Sequence, residues 1–257
     1  FFLYFAYPAP HAPIIPNDQF DGKSKAGPFG DFVYEVDDSI GQLLKALKQS
    51  GQSENTLVIF TADNGPEAYA YARDAKYDHW SASPLRGLKR DIYEGGHRVP
   101  YIVKWPGNVP AGKTSNQLVS QIDITATVAS VVGFELPDDQ AEDSFDLLPL
   151  FKGKKKVSPR NVHIHNTFAD KYAIREGNWL LVDTSSGYSR KKIHEPWEEK
   201  RGYYREGEQK AYLFNLKKDI GQKHNLLDTN PEKARSLRAL LDKIREQGYS
   251  APRLELR

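Results

Sequence analysis

A chain of 257 residues with 39% hydrophobic and 27% charged residues can bury a sizeable core, which excludes both a wholly disordered chain and a miniprotein that depends on staples. Lys and Arg (36) against Asp and Glu (34) leave a formal charge of +2, too balanced for a chain whose main partner is a nucleic acid or an anionic membrane, and no apolar run approaches the ~18 residues of a spanning helix. With no cysteine, the sequence holds no disulfide, thiolate metal site or cysteine nucleophile.

Phe1 to Ala6 is a continuous apolar run ending in Tyr7-Pro8-Ala9-Pro10-His11-Ala12-Pro13, the pattern of a buried strand entering a proline-stiffened loop. The sequence opens inside that run and contains no methionine, so these residues are expected to be a piece of a longer protein. From Gly27 to Ser50, Phe29, Phe32, Val33, Val36, Ile40, Leu43, Leu44 and Leu47 recur at helical spacing, with Gly51 after them, which predicts a long amphipathic helix. Thr56 to Ala62 is β-branched, aromatic and apolar on both faces, which predicts an internal parallel strand. Strand, helix, strand is the grammar of an α/β domain, whose ligands bind beyond the carboxyl ends of the strands. His11 and Asp63-Asn64-Gly65 both fall at such ends.

Residues 66 to 98 read as irregular, and Val99 to Gly107 supplies another short strand. A second helix is expected after Asp123 as its N-cap, with Ile124, Val128, Val131 and Val132 inward and Gly133 closing it. A loop-like stretch over 135–160 carries an acidic segment and then Lys152-Gly153-Lys154-Lys155-Lys156, which places a boundary between an α/β part over 1–155 and a small α+β part over 156–257. In the second part, Asn161 to Phe168 reads as a strand and Tyr172 to Val182 as a hairpin turning at Glu176-Gly177-Asn178. Residues 185–209 read as a long loop, and Ala211 to Leu216 as a further strand. Asn230 and Pro231 start a helix with Ala234, Leu237, Leu240, Leu241 and Ile244 on one stripe and Gly248 at its end.

Three segments can carry chemistry. Asp63-Asn64-Gly65 offers a carboxylate and an amide oxygen at a strand end, hard-oxygen chemistry suited to Ca²⁺ or Mg²⁺, although Asn-Gly is equally the ordinary material of a tight turn. The stretch from Pro84 to Pro100 concentrates Arg86, Lys89, Arg90, Arg98 and His97 among glycines, which suits either an anion site or a solvated basic loop, with Asp91 and Glu94 expected to pair with some of the cations. His11, between prolines, is a structural residue or a group able to meet an oxyanion and deliver a proton.

In order along the chain, Phe-Leu-Tyr-Phe-Ala with Pro-His-Ala-Pro at 2–13, Thr61-Ala62-Asp63-Asn64-Gly65, Pro84-Leu85-Arg86-Gly87-Leu88-Lys89, Tyr93-Glu94-Gly95-Gly96-His97-Arg98-Val99-Pro100, Trp105-Pro106-Gly107, Ser144-Phe145-Asp146-Leu147-Leu148-Pro149-Leu150 and Tyr212-Leu213-Phe214-Asn215-Leu216 resemble the sulfatases of the alkaline-phosphatase superfamily. The resemblance is to the C-terminal half of an arylsulfatase-type enzyme and covers nearly the whole chain. It implies part of an alkaline-phosphatase-like α/β sheet over 1–155, followed by an antiparallel sheet with one helix. It also implies a Ca²⁺-dependent sulfate ester hydrolase acting on a sulfated small molecule or glycan, exported to the periplasm or secreted. By resemblance Asp63 and Asn64 are metal ligands, His11 and Lys89 contact sulfate and assist the leaving group, and His97 joins them on the substrate. The family's formylglycine nucleophile arises in a Cys/Ser-x-Pro/Ala-x-Arg motif that is absent here, so the chain alone is expected to be inactive and to bind Ca²⁺ weakly or not at all. A phosphoester or phosphonate hydrolase of the same superfamily and a non-catalytic binder of sulfated glycans are the competing readings.

Overall fold

The structure, a computed structural model, describes all residues except 169, 190–193, 204–208 and 252–257. In chain order its elements are helix α1 (Pro28–Gln49), strand β1 (Val58–Thr61), helices α2 (Tyr69–Tyr77) and α3 (Glu94–His97), strand β2 (Tyr101–Lys104), helices α4 (Ile124–Val132) and α5 (Leu148–Phe151), strands β3 (Val162–Thr167), β4 (Lys171–Glu176) and β5 (Trp179–Val182), helix α6 (Glu195–Arg201), strand β6 (Tyr212–Asn215) and helix α7 (Pro231–Gln247). This is the expected α/β class with a small α+β unit at the C-terminal end. No helix among the described residues is long and apolar enough to cross a membrane.

Strands β3 to β6 form an antiparallel sheet in sequence order, and period-two alternation gives it two different faces. Ile174, Leu181 and Leu213 point to one face, where Ala234, Leu237 and Leu241 of α7 cover them. Ala173, Leu180, Val182, Tyr212 and Phe214 point to the other, where they enclose Ile92 and Tyr93 from the glycine-rich basic stretch. The sheet is thus the layer against which that stretch is moulded. Asp91 strengthens the seam by accepting the Ser189 N–H at 2.8 Å and its hydroxyl at 3.0 Å.

Several expectations are corrected. Phe1 to Ala6 is not a strand: it lies outside regular structure with Phe1 87% exposed, since an apolar run becomes a strand only when a neighbour completes its ladder and no described strand does so. β1 pairs antiparallel with β2, Val58 opposite Lys104 and Thr61 opposite Tyr101, rather than parallel. Burial on both faces is written in side chains, whereas strand direction is set by the partner. The stretch 66–98 contains α2, whose buried positions are Ala70, Arg73 and Asp74; two of these three are charged, so apolar periodicity does not reveal the helix. Within 185–209, residues 195–201 form α6, while 190–193 and 204–208 lie outside the described residues. In α4 the inward residues are Ala126, Thr127 and Ala129, and Val132 is 70% exposed. Asp123 precedes α4 as expected but does not cap it by side chain; its carboxylate accepts the N–H groups of Ser120 and Phe145, both at 2.9 Å, and the buried Arg160 guanidinium.

Candidate active site

A cavity of about 1870 Å³ opens where the loops after β1 and α2 meet the proline-rich segment that follows Phe1 to Ala6. His11, Asp63, Asn64 and Lys89 all line it. The structure therefore gathers four of the five residues singled out from the sequence. His97, the fifth, is not among the lining residues.

Backbone packing fixes the geometry. The Gly65 N–H donates to the Gly96 carbonyl at 3.0 Å, and the Lys89 N–H donates to the Pro66 carbonyl at 2.8 Å, so the turn after β1 and the basic loop are stitched together at Lys89 and again at Gly96. The loops approach so closely that a Cβ on Gly65 would lie 1.8 Å from the Gly95 carbonyl oxygen, and one on Gly95 would lie 2.1 Å from the Gly87 carbonyl oxygen. Only glycine permits that approach. Beside Lys89, Arg90 adopts a φ of 77°, a left-handed conformation that a bulky residue rarely takes. The Thr167 hydroxyl secures it by donating to the Arg90 carbonyl at 2.6 Å, and its guanidinium pairs with Glu67.

Charge pairing separates the four cations of this stretch. Arg86 is fully buried, donating to Glu198 at 2.5 Å and to the Tyr188 hydroxyl at 2.8 Å, with its guanidinium over the Tyr93 ring. Arg98 pairs with Glu94, which Arg175 also approaches at 3.6 Å. With Arg90 bound to Glu67, Lys89 remains as the cation of the set with no carboxylate partner among the described residues. Asp91, expected to pair with a cation, instead accepts backbone and serine hydrogens. The local excess of charge seen in the sequence is thus reduced by internal pairing to one ammonium on the cavity wall.

At the exposed His11 the ring Nδ1 lies 2.8 Å from the Ala12 carbonyl, which requires a proton on Nδ1 and leaves Nε2 for a ligand. Asp63 accepts the Asn64 N–H at 2.9 Å, and Asn64 donates its side-chain N–H to the Gly65 carbonyl at 2.8 Å, which leaves the amide oxygen free of that bond. A carboxylate and an amide oxygen on adjacent residues suit a hard cation such as Ca²⁺. They supply two donors against the ~6–8 that calcium prefers, and no cluster of three or more His, Cys, Asp or Glu residues fit to hold a metal occurs among the described residues.

His97 belongs to a different environment. Its ring packs 4.3 Å from that of His165, which lies 5.8 Å from that of His163. Burial pushes all three below the usual histidine range, to about 3 for His97 and His165 and about 4 for His163. The three rings pack in sequence, His97 on His165 and His165 on His163. Cavity residues that sequence reasoning missed include Glu67 and Arg73; their one sequence signal is proximity to the Asp63 turn, since α2 itself was not legible.

Comparisons with known proteins place the chain among relatives of one family. Residues 1–134 match the family described as Sulfatase, and residues 88–248 match that described as N-sulphoglucosamine sulphohydrolase, C-terminal. An N-acetylgalactosamine-6-O-sulfatase of Bacteroides thetaiotaomicron is 32% identical over 249 residues, 95% of this chain and 47% of that protein. An N-acetylgalactosamine-6-sulfatase of Mus musculus is 42% identical over 168 residues, 65% of this chain and 32% of its own length. A solved structure from work on the metabolism of multiple glycosaminoglycans by Bacteroides thetaiotaomicron superposes with a TM-score of 0.77 at 31% identity, covering 92% of this chain and 48% of that one. The chain therefore spans about half the length of these relatives, or less.

Proposed function

Because this chain belongs to the sulfatase family, we propose that the protein carrying it hydrolyses sulfate esters of sugars, with Lys89 and His11 acting on the sulfate group and Asp63 and Asn64 contributing to a Ca²⁺ site. The observation that carries this reading is the convergence of His11, Asp63, Asn64 and Lys89 on one cavity. Lys89 places a compact charge against a sulfate oxygen and stabilises negative charge as the S–O bond breaks. His11, with Nδ1–H donating to the Ala12 carbonyl, delivers its Nε2 proton from the imidazolium form to the leaving oxygen of the sugar. When bound by the Asp63 carboxylate and the Asn64 amide oxygen, Ca²⁺ would supply Lewis-acid neutralisation of the sulfate oxygens. Formylglycine is the nucleophile of this reading, and the motif that gives rise to it is not encoded in these 257 residues. Export to the periplasm or the exterior belongs to the same reading.

The names of the relatives make a 6-O-sulfated N-acetylgalactosamine the first substrate to test. The complete protein is expected to release inorganic sulfate from it. Turnover of the matched phosphate ester at a higher kcat/KM would transfer the reading to phosphoester hydrolysis, and binding without release from any sulfated sugar would leave a glycan-binding protein.

A further inference from the structure

Arg73 is a buried cation in the wall of the cavity with no carboxylate partner among the described residues. It sits on α2, is 7% exposed, and is among the residues lining the cavity. Its Nε donates to the Ser81 hydroxyl oxygen at 3.1 Å, and its guanidinium lies 3.6 Å over the Phe29 ring. Neither contact carries negative charge, and no described carboxylate pairs with it; Glu67 in the same wall is committed to Arg90. Burial alone pulls its guanidinium down to about 10, so it stays charged near neutral pH. Buried charges in proteins are ordinarily paired, and an Arg held rigidly without a counter-ion in a concave site suits recognition of an oxyanion by its forked N–H groups.

We propose that Arg73, with Ser81, forms a second anion subsite that reads a carboxylate or a second sulfate on a sugar adjoining the one whose ester is cleaved. The division of labour follows from geometry. Nε is occupied by Ser81, so the two terminal nitrogens are the ones left for the ligand, and Ser81, which accepts from Nε, keeps its own hydrogen for the same oxyanion. Tyr69, four residues earlier on α2 and 57% exposed, lines the same cavity and offers a ring on which such a sugar can stack.

This subsite rests on the sulfatase reading, and the test separates the two. The complete protein would be assayed on a 6-O-sulfated N-acetylgalactosamine monosaccharide, the same sugar linked to a uronate, and the same sugar linked to a second sulfated sugar. Arg73→Gln is expected to lower kcat/KM on at least one of the two-anion substrates by about 10–100-fold, mainly through KM, and to leave the monosaccharide within about threefold. Arg73→Lys keeps the charge without the fork and should fall between parent and Arg73→Gln, which covers the case in which Arg73→Gln does not fold. Which of the two substrates responds identifies the anion. An equal loss on all three substrates would make Arg73 a structural residue, and no loss on either two-anion substrate would likewise overturn the subsite. Should the parent turn over none of them, the sulfatase reading fails, and equilibrium binding of the two-anion sugars decides: weaker binding to Arg73→Gln than to the parent retains the subsite, and equal binding ends it.

Discussion

Two cations three residues apart in sequence have opposite occupations. Lys89 is half-buried on the cavity wall, and the hydrogen bond that positions it runs from its backbone to the Pro66 carbonyl, independent of the side chain. Lys89→Ala in the complete protein should therefore lower kcat by roughly 10²–10³-fold, the scale for losing one donor to a developing oxyanion, with melting temperature nearly unchanged. Arg86 is fully buried, and removing it leaves the Glu198 carboxylate, whose side chain is 2% exposed, without its cation and with the Tyr188 hydroxyl still donating to it at 2.8 Å. Arg86→Ala should cost about 3–5 kcal/mol in urea unfolding, the range for breaking a buried pair from one side. Arg98 lies between them: it is 40% exposed, and Glu94 retains Arg175 nearby, so Arg98→Ala should cost about 1 kcal/mol or less. Equal losses of stability in the three variants, or a Lys89 variant within a few-fold of parental kcat, would remove this division. The sequence announced all of these residues as one basic cluster. It could not announce their sorting, because the carboxylates that neutralise Arg86 and Arg90 come from α6, 112 residues away, and from the loop before α2.

Among the elements, β3 carries two histidines that burial holds below the usual range. His163 and His165 stand on one face of β3 by strand alternation, and the His165 Nε2–H donates to the Ile92 carbonyl at 3.0 Å; His97 from α3 packs against it. In the folded chain these rings stay neutral down to about 4 for His163 and about 3 for the other two, whereas in the unfolded chain they protonate near 6.5. Between those limits the unfolded state binds more protons than the folded one, so stability falls as pH falls from about 6.5 towards 4. Each fully affected ring contributes at most about 1.4 kcal/mol per pH unit, and three neighbouring rings contribute less than three times that. Urea unfolding at pH 7 and pH 5 should show the parent losing more stability than His165→Gln over that interval; identical losses would mean that the cluster is not the titrating element. Strand β3 itself was legible because its pattern is local. That it would bury histidines rather than expose them was not, because burial depends on the α3 segment folded over it from the other end of the basic loop.

At the scale of the whole molecule, the order of motifs was enough to identify the family, whereas the direction of β1 pairing, the exposure of Phe1 to Ala6 and the existence of α2 were not readable, since each depends on which neighbours complete a surface. The same dependence governs the proposed Ca²⁺ site. Asp63 and Asn64 are held at a fixed separation by adjacency in the turn after β1, and that turn is locked to the basic loop through Gly65 and Gly96. Two oxygen donors leave most of a calcium shell to water, so titration of Ca²⁺ into this 257-residue chain alone should give a dissociation constant no tighter than about 10⁻³ M, the weak end of protein calcium sites. In the complete protein, ligands from outside this chain should raise the affinity, and a chelator should abolish sulfate release and lower the melting temperature through loss of the bound ion. Asp63→Ala should weaken Ca²⁺ binding there by at least about tenfold, and Gly65→Ala should do so less directly, by driving the turn away from the Gly95 carbonyl. Calcium binding that is tight in the isolated chain would show that its own residues complete the shell, and undiminished turnover after verified removal of the ion would show that Asp63 and Asn64 serve the reaction without a metal.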